Sequence, residues 1–383
     1  MTKRKSPLKL FPAILVLFFA VPAFAQSDKP IPVVATFSIL GDMVKRIGGP
    51  HVALSTLVGP DGDTHVYQPT PADARAVSKA KLLFVNGLEF EGWIDRLVKA
   101  SGFKGTRVIT TDGIKAIPFE EGHDDHGKEE HHKDEQGEGA HHKDDHHKHG
   151  HDDHKKDEHK DDHHKHGHDD HKKDEHKDGH AEHAKHGDDD HKKGDHRDHG
   201  DHHGHDHGAF DPHAWQSLNH AVTYVDNITA ALVKAFPVKA AAFKANRAAY
   251  VAEIEALDME IRAMIANLPK SKRTVVTSHD AFQYFGRDYG VTFLAPQGLS
   301  TESEASAQDV ARLIKQMRKQ DISAVFIENI TDRRLLEQIA RETGAAIGGT
   351  LYPGALSGND GPAATYLKMM RHNATTLAQS LGS

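Results

Sequence analysis

The 383-residue chain contains no cysteine. This excludes disulfides, thiolate metal sites and a lipid-modified cysteine at a signal-cleavage point. Between residues 123 and 207 there is also no aromatic residue and no Val, Ile, Leu or Met. A segment with nothing apolar to bury cannot offset the entropy lost on ordering, so it is expected to be a disordered insertion without a core. No basic face is evident elsewhere, and no nucleic-acid partner is expected.

What fills residues 123–207 is histidine, 28 of the chain's 34, among 15 basic and 28 acidic residues. The segment's charge of −13 against −8 for the whole chain leaves +5 for everything else. A solvated imidazole is mostly neutral at pH 7, so its lone pair is free for a metal. Residues 144–160 (DDHHKHGHDDHKKDEHK) recur unchanged over 161–177. A segment with a required three-dimensional register would hardly tolerate such a duplication. The density of imidazole favours a metal-collecting arm over a solvated charged linker.

At the start, Lys3, Arg4, Lys5 and Lys9 precede an apolar run over 10–21, then Ala23-Phe24-Ala25 and Gln26. This pattern reads as a cleavable secretory signal over 1–25, too short for a spanning helix, and points to the periplasm. Without signal and tract, roughly 270 residues remain, enough for two lobes of ordinary domain size.

Those residues alternate strand and helix. Strands are expected over 32–37, 52–58, 82–85 and 107–110. A helix capped by Ser38 buries Ile39, Met43, Val44 and Ile47, another opens near Pro71, and a third covers about 91–100. Regular sequence resumes at Phe210, and helical periodicity covers 216–236. The stretch over 237–268 reads as one long rigid helix joining two lobes. A second series follows, with strands over 274–277, 291–295, 324–327 and 345–348, helices over 305–319 and 333–343, and a closing helix over 362–381. The fold class is α/β: an N-terminal lobe over 26–117 completed by 209–236, the tract over 118–208, and a C-terminal lobe over 269–383. A ligand is expected in the cleft, at the carboxyl ends of the strands.

Only His51, His65, His213, His220, His279 and His372 lie outside the tract. His65 falls on a loop after a strand, His213 just before a helix, and His279 just after a strand, so these three can converge on the cleft. Three imidazoles suit Zn²⁺ better than the oxygen-preferring Mn²⁺ or Mg²⁺. His51 is read as starting a strand, and His220 and His372 as solvent-facing helix residues. Trp93 and Trp215 are read as core or lobe packing. Asp211 and Asp280 flank candidate ligands and either orient imidazoles or cap helices.

The segments His65-Val66-Tyr67-Gln68-Pro69-Thr70-Pro71-Ala72-Asp73, Asp211-Pro212-His213-Ala214-Trp215 and Thr277-Ser278-His279-Asp280-Ala281-Phe282-Gln283-Tyr284-Phe285 resemble the three ligand segments of the metal-binding solute-binding proteins of ABC importers. The zinc-uptake (ZnuA-like) members often carry a His-rich tract at this place. The resemblance implies two lobes, a connecting helix, one metal held by His65, His213 and His279, and delivery to an inner-membrane permease; the protein is expected to be a monomer. Many relatives take a fourth carboxylate ligand from a segment like Leu351-Tyr352-Pro353-Gly354-Ala355-Leu356-Ser357, where this chain has Gly354. Water, Asp360, Glu328 or a tract histidine remains for that place. Two other functions use the same three histidines: a zinc buffer or chaperone, and a hydrolase or lyase. No HExxH or other hydrolase motif supports the last.

Overall fold

The structure, a computed structural model, describes residues 29–119 and 209–382. The expected signal peptide and all but the first two residues of the tract lie outside the described residues.

Strands β1 (Ile31–Phe37), β2 (Val52–Val58), β3 (Leu82–Val85) and β4 (Thr106–Ile109) form a parallel sheet in the order β2-β1-β3-β4. β5 (Thr274–Val276), β6 (Thr292–Leu294), β7 (Ala324–Glu328) and β8 (Ala346–Leu351) repeat that arrangement as β6-β5-β7-β8. β3 (LLFV) and β7 (AVFIE) are buried at every residue. That suits central parallel strands covered on both faces.

The helices are α1 (Ser38–Gly48), α2 (Pro71–Lys79), α3 (Ile94–Ser101), α4 (Leu218–Ala235), α5 (Ala240–Ala266), α6 (Gln283–Tyr289), α7 (Ala307–Gln320), α8 (Arg334–Thr343) and α9 (Tyr366–Gly382). The long helix expected over 237–268 is a 3-10 turn, Pro237–Lys239, followed by the 27 residues of α5, which span about 40 Å. It packs on α1 and α4 of the first lobe and on α6 and α9 of the second. Buried Phe243, Tyr250, Ile254, Leu257 and Ile261 of α5 join a hydrophobic core that includes residues of both sheets. The two sheets are therefore welded through a shared core, whereas a smaller cluster around Leu313, Met317, Val325 and Ile339 belongs to the second lobe alone.

Three helix starts differ from expectation. Ser38 does not cap α1, whose N-cap is Phe37. Its hydroxyl instead accepts the Leu356 N–H at 3.0 Å, joining the two halves of the chain. The third helix begins at Ile94 because Glu91 is drawn into buried bonds described below. The last begins at Tyr366, whose N–H is accepted by Asp42 of α1 at 3.0 Å.

The sheets' carboxyl ends carry the loops that matter for function. Residues 59–65 follow β2, residues 277–281 follow β5, and Glu328 is the last residue of β7. The described flanks of the tract are pinned together: Phe119 N–H donates to Ala209 O at 3.0 Å, and Asp211 N–H to Ile117 O at 2.9 Å.

Candidate metal centre

His65, His213 and His279 each offer a ring nitrogen, and the three atoms lie within 4.8 Å of one another. His65 Nε2 and His213 Nε2 are 3.3 Å apart. Ring centroids are separated by 5.4 Å (His65 to His213), 5.7 Å (His65 to His279) and 5.4 Å (His213 to His279). His213 and His279 are fully buried, and His65 is half-buried.

Two of the rings are held from behind by carboxylates. Asp211 Oδ1 lies 2.8 Å from His213 Nδ1 and also accepts the His213 backbone N–H at 2.9 Å. Glu328 Oε2 lies 2.6 Å from His279 Nδ1, and its Oε1 accepts the N–H groups of Ser278 and His279 at 3.1 and 3.2 Å. A carboxylate at Nδ1 fixes the proton there and leaves the Nε2 lone pair facing the cluster. His279 Nε2 is buried without a partner, an orphan that a cation would satisfy.

Burial, then the neighbouring His279, hold His213 well below the usual imidazole range, which keeps it neutral and able to bind metal. At His279 burial also works against the charged form, but the Glu328 carboxylate together with Asp63 and Asp280 outweighs it, and the net shift is upward. Burial pushes the Asp211 carboxyl up to about 7.

The loop carrying His65 is anchored by hydrogen bonds at both ends. Downstream, Thr70 and Asp73 form a reciprocal capping box at the start of α2, and Tyr67 donates its hydroxyl to Asp73 at 2.8 Å. Upstream, Asp63 Oδ1 accepts the His65 N–H at 2.9 Å. The Trp93 indole N–H holds Thr64 O at 2.9 Å. Phe90 lies edge-on to His65 at 4.9 Å, and Trp215 to His213 at 5.3 Å; with Phe37 they make an aromatic wall on one side of the cluster.

Phe90 is set by a turn in which Gly87, Leu88 and Glu89 all have positive φ (91°, 53° and 61°). Glu91 secures that turn, accepting the Thr36 hydroxyl at 2.5 Å and the N–H groups of Asn86 and Gly87 at 2.7 and 3.2 Å. Asn86 in turn donates its amide to Pro212 O at 2.9 Å, beside His213.

Of the other acidic residues expected near the site, Asp280 turns its carboxylate to the Gln283 amide at 2.6 Å. Burial pushes it up to about 6. Asp360 is exposed and outside the cluster. Glu328 is committed to His279, which removes it as an additional ligand. His220 and His372 face solvent only in part: both are half-buried, His220 edge-on to Tyr284 at 5.2 Å and His372 with Nε2 3.0 Å from Thr350 O. His51 ends the 3-10 turn Gly49–His51, one residue before β2. Asp63, Phe90 and Glu91 were not anticipated. Asp63 precedes a candidate ligand by two residues, the same spacing as Asp211 to His213, and that parallel was the available signal.

The model of the ZnuA family, described as the periplasmic zinc-uptake complex component A, matches residues 33–380. The chain belongs to this family. It is a periplasmic metal-binding component of an ABC importer and not an enzyme, and components of this kind work with a membrane permease and an ATPase. Among curated relatives of this ZnuA-family chain, the manganese-binding lipoprotein MntA of Bacillus subtilis is 27% identical over 386 residues, covering 97% of this chain and 98% of the relative. The iron-binding protein YfeA of Yersinia pestis is 26% identical over 358 residues, covering 94% and 88%. The solved Mn-bound periplasmic metal-binding protein of Candidatus Liberibacter asiaticus is 25% identical with a TM-score of 0.64, covering 92% of this chain and all of that one. The periplasmic zinc-binding protein TroA of Treponema pallidum shares the fold, with a TM-score of 0.67 at 24% identity over 92% of this chain and 99% of TroA. No helix among the described residues is long and apolar enough to cross a membrane.

Proposed function

We propose that this protein captures Zn²⁺ with His65, His213 and His279 and delivers it to the permease of a zinc importer, acting as a monomer. The observation that carries the reading is the donor set. The metal-competent cluster among the described residues is three imidazole nitrogens with no carboxylate oxygen in it. Asp211 and Glu328 each turn one carboxylate oxygen to an Nδ1 atom, on the far side of the ring from the cluster. Nitrogen-only ligation favours Zn²⁺ over the oxygen-preferring Mn²⁺. The 3.3 Å between His65 Nε2 and His213 Nε2 would fit one edge of a tetrahedral site, where Zn–N bonds of about 2.0–2.1 Å set edges of about 3.3–3.4 Å.

Gly354 stands where the resembling relatives carry a fourth carboxylate ligand, which leaves that position open in this chain. Pro353 O accepts the Trp215 and Gln216 side-chain N–H groups at 2.8 and 2.7 Å. A Cβ on Gly354 would meet Ile330, two residues beyond Glu328. The Gly354 segment thus packs against Trp215, Gln216 and Ile330 and brings no carboxylate. The tract, with its 28 histidines, is proposed as a weaker collecting arm that raises the amount of zinc held beside this site.

The test is metal analysis of the purified mature protein, followed by competition titration of zinc against manganese and ferrous iron. Zinc should be retained and should win. A preference for manganese, or wild-type zinc affinity in His279→Ala, would overturn the assignment. Zinc-limited growth of a strain lacking the gene separates an importer component, whose loss slows growth, from a zinc buffer.

A further inference from the structure

The loop over 59–65 reaches across to the second lobe at three points. Asp61 N–H donates to Leu356 O at 2.8 Å, and Asp61 Oδ1 accepts the Asn329 amide at 2.9 Å. Asp63 Oδ2 accepts the Thr301 hydroxyl at 2.5 Å. The other oxygen of the same Asp63 carboxylate accepts the His65 backbone N–H. One side chain therefore joins the peptide of a candidate ligand to the segment between β6 and α7 of the opposite lobe. Asn329 directly follows Glu328, the residue that orients His279, so the Asp61 contact ties the His65 loop to the support of a second ligand. Asp61 itself has φ of 55°, a conformation tolerated by Asp but costly for most side chains. Its two cross-lobe bonds hold it there.

We propose that Asp63 is a positioning residue that latches the His65 loop to Thr301 across the cleft and thereby sets how fast bound metal leaves. The proposal rests on His65 being a ligand. For metal to escape, His65 must separate from His279, and His65 sits on the first lobe's loop while His279 follows β5 of the second. The loop cannot draw back without breaking the Asp63 to Thr301 bond, and a hydrogen bond to a charged acceptor is stronger than a neutral one. Entry would differ, because a cleft open enough to admit metal would have that bond already broken. The latch should therefore act on dissociation and leave association nearly unchanged, as most affinity differences within one site do.

The experiment measures zinc dissociation and association by stopped flow with a chromophoric chelator, on the full mature chain. Thr301→Val removes the cross-lobe hydroxyl but leaves Asp63, its charge and its bond to His65 in place. Dissociation from the tight site should accelerate roughly tenfold, the effect of about 1.4 kcal/mol, with association within about twofold of wild type. Thr301→Ser, which restores a hydroxyl, should return the slow rate. Asp63→Ala, which also frees the His65 loop, should dissociate faster than Thr301→Val. Wild-type dissociation in Thr301→Val, a change confined to association, or no rescue by Ser would overturn the latch. Equilibrium loss of zinc in His65→Ala tests the ligand assignment separately: if His65→Ala binds normally the site reading fails, whereas a failed latch leaves that result intact.

Discussion

Glu328 holds His279 twice, through the ring Nδ1 at 2.6 Å and through the backbone N–H at 3.2 Å. The β7 strand that ends in Glu328 pairs with β5, so the sheet helps to aim the imidazole along with the loop that carries it. Removing that support should weaken metal binding while all three imidazoles remain. Glu328→Gln is expected to lower zinc affinity roughly 10–100-fold, the usual effect of losing a residue that orients a ligand. Chelator competition measures it. Unchanged affinity would mean that packing alone aims His279.

Gly354→Asp should tighten zinc binding and confer affinity for manganese, because a carboxylate completes a four-ligand set with a hard oxygen. The backbone permits the change: a Cβ at Gly354 meets nothing closer than Ile330 Cδ1 at 3.7 Å, and its φ lies outside the left-handed region. Gly354→Asn is the control, of similar shape but uncharged. Equal zinc and manganese affinities in wild type and a stably folded Gly354→Asp would remove the open position from the model.

Deleting residues 123–207 should reduce the number of zinc ions bound and leave one tight site. The flanks are already closed by backbone hydrogen bonds between 117–119 and 209–211, so the fold should survive. In the intact chain, acid should empty the tract first, near an unperturbed imidazole pKa of about 6.5; His279 takes a proton more readily than a free imidazole, but preorganised ligands bind metal more tightly, so the site should hold on to lower pH. Calorimetric titration checks the stoichiometry and metal analysis along a pH series checks the order of release. Loss of all tight binding on deletion would place the primary site in the tract.

Burial raises the Glu91 carboxyl above its ordinary range, so the folded state keeps a proton that the unfolded chain has lost. Stability from this group is fully present below the unfolded value of about 4.3 and declines as pH rises through the folded one. Glu91→Gln has no such titration. With metal removed, the thermal midpoint of the wild type relative to Glu91→Gln should fall from pH 4.5 to pH 7. Parallel curves would show that Glu91 titrates alike in both states.

The sequence by itself determined the alternation of strand and helix, the long helix and the three histidines to compare, since hydrophobic periodicity and loop position are local properties that survive without tertiary contacts. It also set apart the tract, because a segment without apolar side chains has nothing to contribute to a core. Only the tertiary structure decided which acid serves which imidazole. Glu328 is 49 residues from His279 and the pair forms through strand pairing, whereas Asp280, the immediate neighbour, turns to Gln283. Ser38 looked like a helix cap because capping preference is local, yet its hydroxyl is taken by Leu356, 318 residues away. The Asp63 to Thr301 bond likewise spans 238 residues. A contact between side chains so far apart has no periodicity to reveal it, and it exists only once the shared core has brought the two lobes' strand ends face to face.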